Sequence, residues 1–400
     1  MKTKLNFTNY TDERILEVIF FLFGFTVMSW VPRLPEIKDH LGVNDGQFGT
    51  LLSTGAIGAL IALLTMGHAV NHWGTSRVIK IGFTANLIGF VAVPHVHNLF
   101  IFMILNIAIG FGVSTIHLSA NSQVIADQDS LGKRIMPRMH GFWALGALLT
   151  ALLSSLLIGH VSLGLHLGIL MALSWLFTLF LLQLRSKTML KANNSEQSHF
   201  SAKNIFKSFK IDWIVSAGLI CAQLIEFTTN DWSAIFARDK IGIKSGLTAL
   251  VYIIFALTMI AGRLFARRIE AKLTLIKSVK LFGFFGGAGF AIFIWLGAYM
   301  VQYNRNIAFI LALIGFAIAG FGTSFLGPTF TIAATQRSNL SGSIVIGQLG
   351  VINNILVFVL KAIIAWTAQF TSLYVALMIP ALMLMAVGLF ANATKPVQSK

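Results

Sequence analysis

Apolar runs of about the length of a membrane-crossing helix alternate with short polar breaks along nearly the whole chain, and one break differs from the rest. The runs cover residues 15–32, 47–70, 77–95, 99–126, 140–159 and 162–184. A second series covers 212–236, 247–265, 276–301, 306–333, 342–367 and 371–392. Between the two series lies a polar stretch, Arg185 to Lys210. It carries Arg185, Lys187, Lys191, Lys203, Lys207 and Lys210 against a single acid, Glu196. The pattern predicts an all-α membrane protein of twelve transmembrane helices in two pseudo-symmetric six-helix bundles. The expected boundaries are 1–184 and 211–400, with 185–210 as a cytoplasmic linker.

Composition narrows the class. Hydrophobic residues make up 56% of the chain and charged residues only 11%, too few charges to cover that much apolar surface in water. The net charge of +16 raises nucleic acid as a partner, but the placement of the basic residues has a simpler cause. With the N-terminus inside, most of the 30 Lys and Arg fall in inner segments, including Lys2, Lys4, Arg14, Lys133, Arg134, Arg138, the linker, and the loop from Arg263 to Lys280. Outside fall Arg33, Lys38, Arg238, Lys240, Lys244 and Arg305, and Lys361 lies within a span. This bias predicts cytoplasmic N- and C-termini and removes the need for nucleic acid. The polar N-terminus has no small-residue cleavage site and reads as retained. Cys221, alone, excludes an intramolecular disulfide.

The two halves repeat each other. Lys38-Asp39-His40-Leu41-Gly42-Val43 follows the first span, and Arg238-Asp239-Lys240-Ile241-Gly242-Ile243 follows the seventh. Gly110-Phe111-Gly112-Val113-Ser114 in span four is answered by Gly320-Phe321-Gly322-Thr323-Ser324 in span ten. Parallel six-span repeats predict a small-molecule site near mid-membrane, with the bundles rocking about it.

The loop between spans two and three, Gly67-His68-Ala69-Val70-Asn71-His72-Trp73-Gly74-Thr75-Ser76-Arg77, resembles the loop signature of the major facilitator superfamily. Gly67, Gly74 and Arg77 match it. Asn71 stands where the family has Asp, and His72 where it has Arg or Lys, so the family's gating ion pair is not carried over. Gly262-Arg263-Leu264-Phe265-Ala266-Arg267-Arg268 is a more degenerate copy. Three further stretches are similar to a bacterial inner-membrane group related to the fucose permease and a rhizopine-associated membrane protein. They are Pro32-Arg33-Leu34-Pro35-Glu36-Ile37, His140-Gly141-Phe142-Trp143 and Thr229-Asn230-Asp231-Trp232-Ser233. The resemblance implies a transporter of the bacterial cytoplasmic membrane, with sugar-like or polyol-like substrates. The membrane carboxylates on which the fucose permease relies in its N-terminal half are represented here only by Glu17. Span five lacks the Gly-Pro pair of drug antiporters, which favours uptake.

Charges inside a bilayer are costly, so each needs a reason. In span seven Gln223, Glu226, Asn230 and Ser233 recur at helical spacing on one face, with Asp231 one turn beyond Glu226. Glu226 reads either as a cavity-facing carboxylate that binds substrate or a coupling proton, or as a structural hydrogen-bonding group. Lys361, with Asn354 on the same face, reads as a partner of Asp231 or Glu226, as a receptor for a substrate anion, or as a snorkelling lysine. In span four Gly110, Ser114, His117 and Asn121 share a face. His117 and Asn121 are candidate hydroxyl ligands with Trp143 as an apolar platform, against a plain packing role for each. Trp30, Arg33, Glu36 and Trp232 form a candidate outer gate, against belt tryptophans and solvated charges.

No catalytic set and no HExxH motif occurs, and no glycine-lysine phosphate loop is present, so neither enzyme activity, ATP, metal nor another cofactor is expected. The reading is a secondary active transporter, working as a monomer in the lipid bilayer and taking up a small polar solute with protons. Glu226 carries coupling or binding, and Asn230, Asp231, His117, Asn121, Trp143, Asn354 and Lys361 are the candidate ligands. Proton-antiport efflux of a small amphipathic compound, or a non-transporting sensor of the same fold, stands beside it.

Overall fold

The computed structural model describes residues 7–133, 135–185, 188–191, 212–244, 246–270, 272–340 and 342–395. Much of the linker expected at 185–210 therefore lies outside the described residues, as do Arg134, Lys187, Lys203, Lys207 and Lys210. The chain divides into two compact units. One comprises Met1–Trp30 with Ile57–Ala202, the other Val31–Ala56 with Lys203–Lys400.

Every described element is helical. Eleven helices or helix pairs among the described residues are long and apolar enough to cross a membrane. That architecture follows from the solvent, because a backbone in hydrocarbon must satisfy its own hydrogen bonds. The remaining long helix, α9 (Trp213–Ile235), matches the others in length with 23 residues. It is diluted by the polar positions of span seven.

In the first unit, α1 (Phe7–Val27) packs along α7 (Met136–Leu157), and α5 (Thr75–Ala92) along α6 (Leu99–Leu131) and α8 (Leu163–Leu184). The α1–α7 contact depends on reciprocal glycines. A Cβ on Gly24 would lie 2.0 Å from the Trp143 carbonyl oxygen, and one on Gly146 would lie 2.1 Å from that of Phe21. Small residues let backbones approach where no hydrophobic force drives helices together. The terminus-proximal end of this unit is ionic. Glu13 and Glu17 are buried on α1 and paired with Lys133 and Arg138.

Arg185, read as the first residue of the linker, is 2% exposed. It pairs with Asp127 of α6, which accepts a second bond from Gln123 at 2.8 Å. The Gln123 carbonyl accepts from Thr75 Oγ1 at 2.6 Å and from the Leu190 amide at 2.8 Å. The Leu190 carbonyl in turn accepts the Thr75 amide at 3.1 Å. Gly74, at the N-cap of α5, has no side chain to offer, so the start of the linker caps that helix from a distance in sequence.

In the second unit, α9 is surrounded by its neighbours. α2 (Leu34–Leu41) and α3 (Asp45–Ser53) also belong here, and α3 packs on α14 (Gly342–Phe370), where Trp366 Nε1 donates to Thr50 Oγ1 at 3.1 Å. Helices α10 (Leu250–Glu270) and α11 (Leu275–Met300) meet α12 (Arg305–Thr323), and α13 (Leu326–Gln336) completes span ten. The chain closes with α15 (Leu373–Ala376), α16 (Met378–Ala386) and a 3₁₀ segment, Val387–Thr394. The glycine-rich pieces are packing surfaces, as expected: a Cβ on Gly322 would lie 2.6 Å from the Cα of Gly286.

Several spans are broken where the sequence reads as continuous. Span two divides at Thr54 between α3 and α4 (Gly55–Trp73), where Ser53 and Thr54 hydroxyls donate back to the carbonyls of Thr50 and Leu51. Span ten divides at Ser324, about one helical turn before Pro328 of α13. The carbonyl freed there accepts from Arg263 Nε at 2.9 Å. Arg263, read as a loop residue, lies within α10 because that helix runs on to Glu270.

The repeated Lys/Arg-Asp motif has a structural meaning. Gly42 and Gly242 end their helical segments with φ of 63° and 78°, a region L side chains avoid. The charges ahead of them exchange partners: Arg238 Nη2 donates to Asp39 at 2.9 Å, and Lys38 donates to Asp239 at 3.2 Å. Each copy's base thus bonds the other copy's acid. Of the candidate gate residues, Arg33 is 1% exposed and bonds Glu36, three residues along the chain, at 2.9 and 2.7 Å. Trp232, also 1% exposed, is a core residue and not an interfacial belt.

Candidate functional site

In the second unit the polar face of α9 is the main feature. The helix is buried on most sides, but Gln223, Glu226, Phe227, Asn230 and Asp231 remain partly accessible. Their spacing of three, four, seven and eight from Gln223 is one stripe of an α-helix. Ser233, placed on the same face by its spacing, is fully buried and stands off the stripe.

Two bonds tie this stripe to α14. Asn353 Nδ2 donates to Gln223 Oε1 at 3.3 Å, and Lys361 Nζ meets Asp231 Oδ2 at 2.8 Å. The partners advance together by eight residues on each helix, so α9 and α14 run parallel here. The two clasps are about 12 Å apart along the axis. Lys361 also lies 5.9 Å from the centroid of the Phe227 ring, a cation–π distance. Between the clasps sits Glu226, whose carboxylate makes no hydrogen bond or ion pair among the described residues. The basic group whose charge reaches it is Arg263.

Of the alternatives for Lys361, the pairing with Asp231 is the one formed. Asn354 donates to the Gly350 carbonyl of its own helix at 2.8 Å, while its neighbour Asn353 reaches the stripe. The sequence signals an amide on this helix, but which of two adjacent asparagines turns toward α9 depends on helix rotation.

The first unit holds a separate cluster. Asn121 Nδ2 lies 3.1 Å from His117 Nε2; with the amide donating, the imidazole proton is on Nδ1. The His117 ring is 6.0 Å from that of His140 and 6.4 Å from Phe23, which is also 6.4 Å from Trp143. Asn121 Oδ1 and Trp143 Nε1 are buried with no hydrogen-bond partner, one an acceptor and the other a donor. Such orphans cost about 1–3 kcal/mol each unless something satisfies them. A ligand hydroxyl, which both donates and accepts, suits that pair of groups. Glu17 contributes nothing open here, being bound to Arg138. Gly67 is buried within α4 and Gly74 in the turn joining α4 to α5, and Arg77 is exposed in the first turn of α5.

A multi-pass helical chain with polar groups held inside its spans is the architecture expected of a membrane transport protein. The chain belongs to the Major Facilitator Superfamily, whose profile matches residues 16–360; that places it among transporters and not enzymes. It is 26% identical over 378 residues to an uncharacterized MFS-type transporter of Yersinia pestis, covering 94% of this chain and 93% of that protein. It is 24% identical over 334 residues to the membrane protein MosC of Rhizobium meliloti, covering 81% and 76%. Among solved structures, the nucleoside transporter NupG superposes with a TM-score of 0.72 at 17% identity, covering 97% of this chain and all of that one. A D-xylose–proton symporter gives 0.67 at 17% identity, covering 98% and 99%.

Proposed function

We propose that this chain takes up a small, polar, sugar-like or polyol-like solute together with protons, by alternating access across the bacterial cytoplasmic membrane. Both termini lie in the cytoplasm on this reading, as the distribution of Lys and Arg requires. The halves 1–184 and 211–400 act as the moving bodies joined by 185–210, and a single copy suffices.

The observation that carries the reading is Glu226: a partly accessible acid inside a span, bracketed by two formed clasps and itself without a hydrogen bond or ion pair among the described residues. An intramembrane acid kept without a structural partner is a functional group by default. A proton taken up there on one side and released on the other couples the gradient to the solute. In the second unit Asn230 and Asn354, and in the first Asn121, His117 and Trp143, are the proposed polar and aromatic contacts, and Asp231 and Lys361 hold the outer end of the stripe. Amides and imidazole suit hydroxyls because each offers a donor or an acceptor. The structural neighbours, one of them described as a proton symporter, agree in fold with this mechanism.

The test is uptake into proteoliposomes of labelled sugars, polyols and amino sugars, with and without an inward proton gradient, for the native chain and Glu226→Gln. Gradient-driven accumulation lost in the variant is expected. Accumulation in the variant that still follows the gradient would remove Glu226 from coupling, and gradient-driven extrusion of amphipathic compounds would replace uptake with efflux.

A further inference from the structure

His68 and His72 lie on the last two turns of α4, one helical turn apart, and both are exposed. Their rings are stacked nearly parallel, with 6° between the planes and centroids 6.1 Å apart. Neither makes a hydrogen bond or ion pair among the described residues, and neither belongs to the stripe of α9 or the Asn121 cluster. The second imidazole pair of the first unit differs on both counts. His117 and His140 come from two helices, and His117 Nε2 is already engaged by Asn121.

We infer that His68 and His72 form a two-imidazole site for a divalent transition-metal ion of the Zn2+, Ni2+ or Cu2+ class. Residues four apart on one helix present their side chains to the same point, the arrangement by which paired histidines ligate zinc. With a metal–nitrogen distance of about 2.1 Å, two imidazoles at neighbouring positions of one ion have centroids about 4.5–5.3 Å apart. The observed spacing is about 1 Å wider, and rotation of the two exposed side chains about χ1 and χ2 closes the difference. Imidazole is a preferred donor for these ions. The site also sits at a helix C-terminus, where the free carbonyls favour a cation. No third His, Cys, Asp or Glu completes a cluster among the described residues, so water occupies the remaining positions and the ion stays exchangeable. Bound there, it staples the final turn of α4 next to the Gly74 turn and the start of α5.

The test uses tag-free, detergent-purified full chain. Thermal unfolding is followed with Ni2+ or Zn2+ added, for the native protein and for His68→Gln, His72→Gln and His117→Gln. A metal-dependent rise in Tm is expected in the native chain and in His117→Gln. Either α4 substitution weakens the metal dependence about 100-fold, because the second ligand acts at high effective concentration only while both are present. Cu2+ bound to the native chain gives an independent readout, with two imidazole nitrogens expected in its electron paramagnetic resonance spectrum. No metal-dependent rise, a rise unchanged in both α4 variants, or a single coordinated nitrogen would each overturn the site.

Discussion

Asp231 and Lys361 form an ion pair at 2.8 Å between α9 and α14, with only 13% and 16% of their side chains exposed. Breaking such a pair leaves one buried charge uncompensated, whereas removing both charges does not. Lys361→Met is therefore expected to destabilise the protein by about 3 kcal/mol. The double variant with Asp231→Asn should recover most of that loss. Thermal unfolding of the native chain and both variants in detergent checks it, and equal loss in the single and double variants would count against the pair.

Glu226 is expected to behave in the opposite way. With no direct partner to lose, Glu226→Gln should leave the melting temperature nearly unchanged while uncoupling transport from the proton gradient. Measuring Tm and gradient-driven uptake on the same preparation separates the two effects. A large drop in Tm would show that the carboxylate has a structural partner.

The exchanged charges beyond α9 predict a pH dependence. Burial pushes the Asp239 carboxyl up, but the Arg238 hydrogen bond and the Lys38 and Arg238 charges together hold it below its ordinary value. A carboxylate depressed in the folded state stabilises the fold above its unfolded pKa, about 3.9 for Asp. That contribution is lost as pH falls through the folded value. The melting temperature should fall with pH below about 4, with a shallower slope in Asp239→Asn. An identical slope in native chain and variant would remove Asp239 from the effect.

Gln123 ties α6 to Thr75 and to the beginning of the linker. Gln123→Leu leaves the Leu190 amide and Asp127 short of partners and is expected to cost about 1–3 kcal/mol. Amide exchange at Leu190 and Thr75 should quicken more than the average of α5 and α6. Hydrogen exchange read by mass spectrometry checks this, and unchanged protection at 188–191 would mean that the strap is held by other contacts.

The hydrophobic spans, the two repeats and the polar face of α9 are all legible in the amino-acid sequence. The reason is local: a bilayer demands self-satisfied helices of a set length, and helical periodicity places residues three and four apart together. Even the pairing of Lys361 is among the alternatives that depth in the membrane suggests. What periodicity does not contain is the rotation of one helix against another. Only tertiary structure turned Asn353 toward Gln223 in place of Asn354, buried Ser233, and chose Asp231 over Glu226 for Lys361. It also broke spans two and ten at Thr54 and Ser324, returned Arg33 to Glu36, and drew Arg185 into Asp127. Each outcome depends on which groups packing brings within hydrogen-bond reach, and burial makes that choice costly to leave unmade. The chain alone determined which segments cross the membrane and which residues are too polar to be there without cause. The packing of α9 against α14 decided which of those residues are bonded, and left Glu226 as the one on its stripe with a charge and no direct partner.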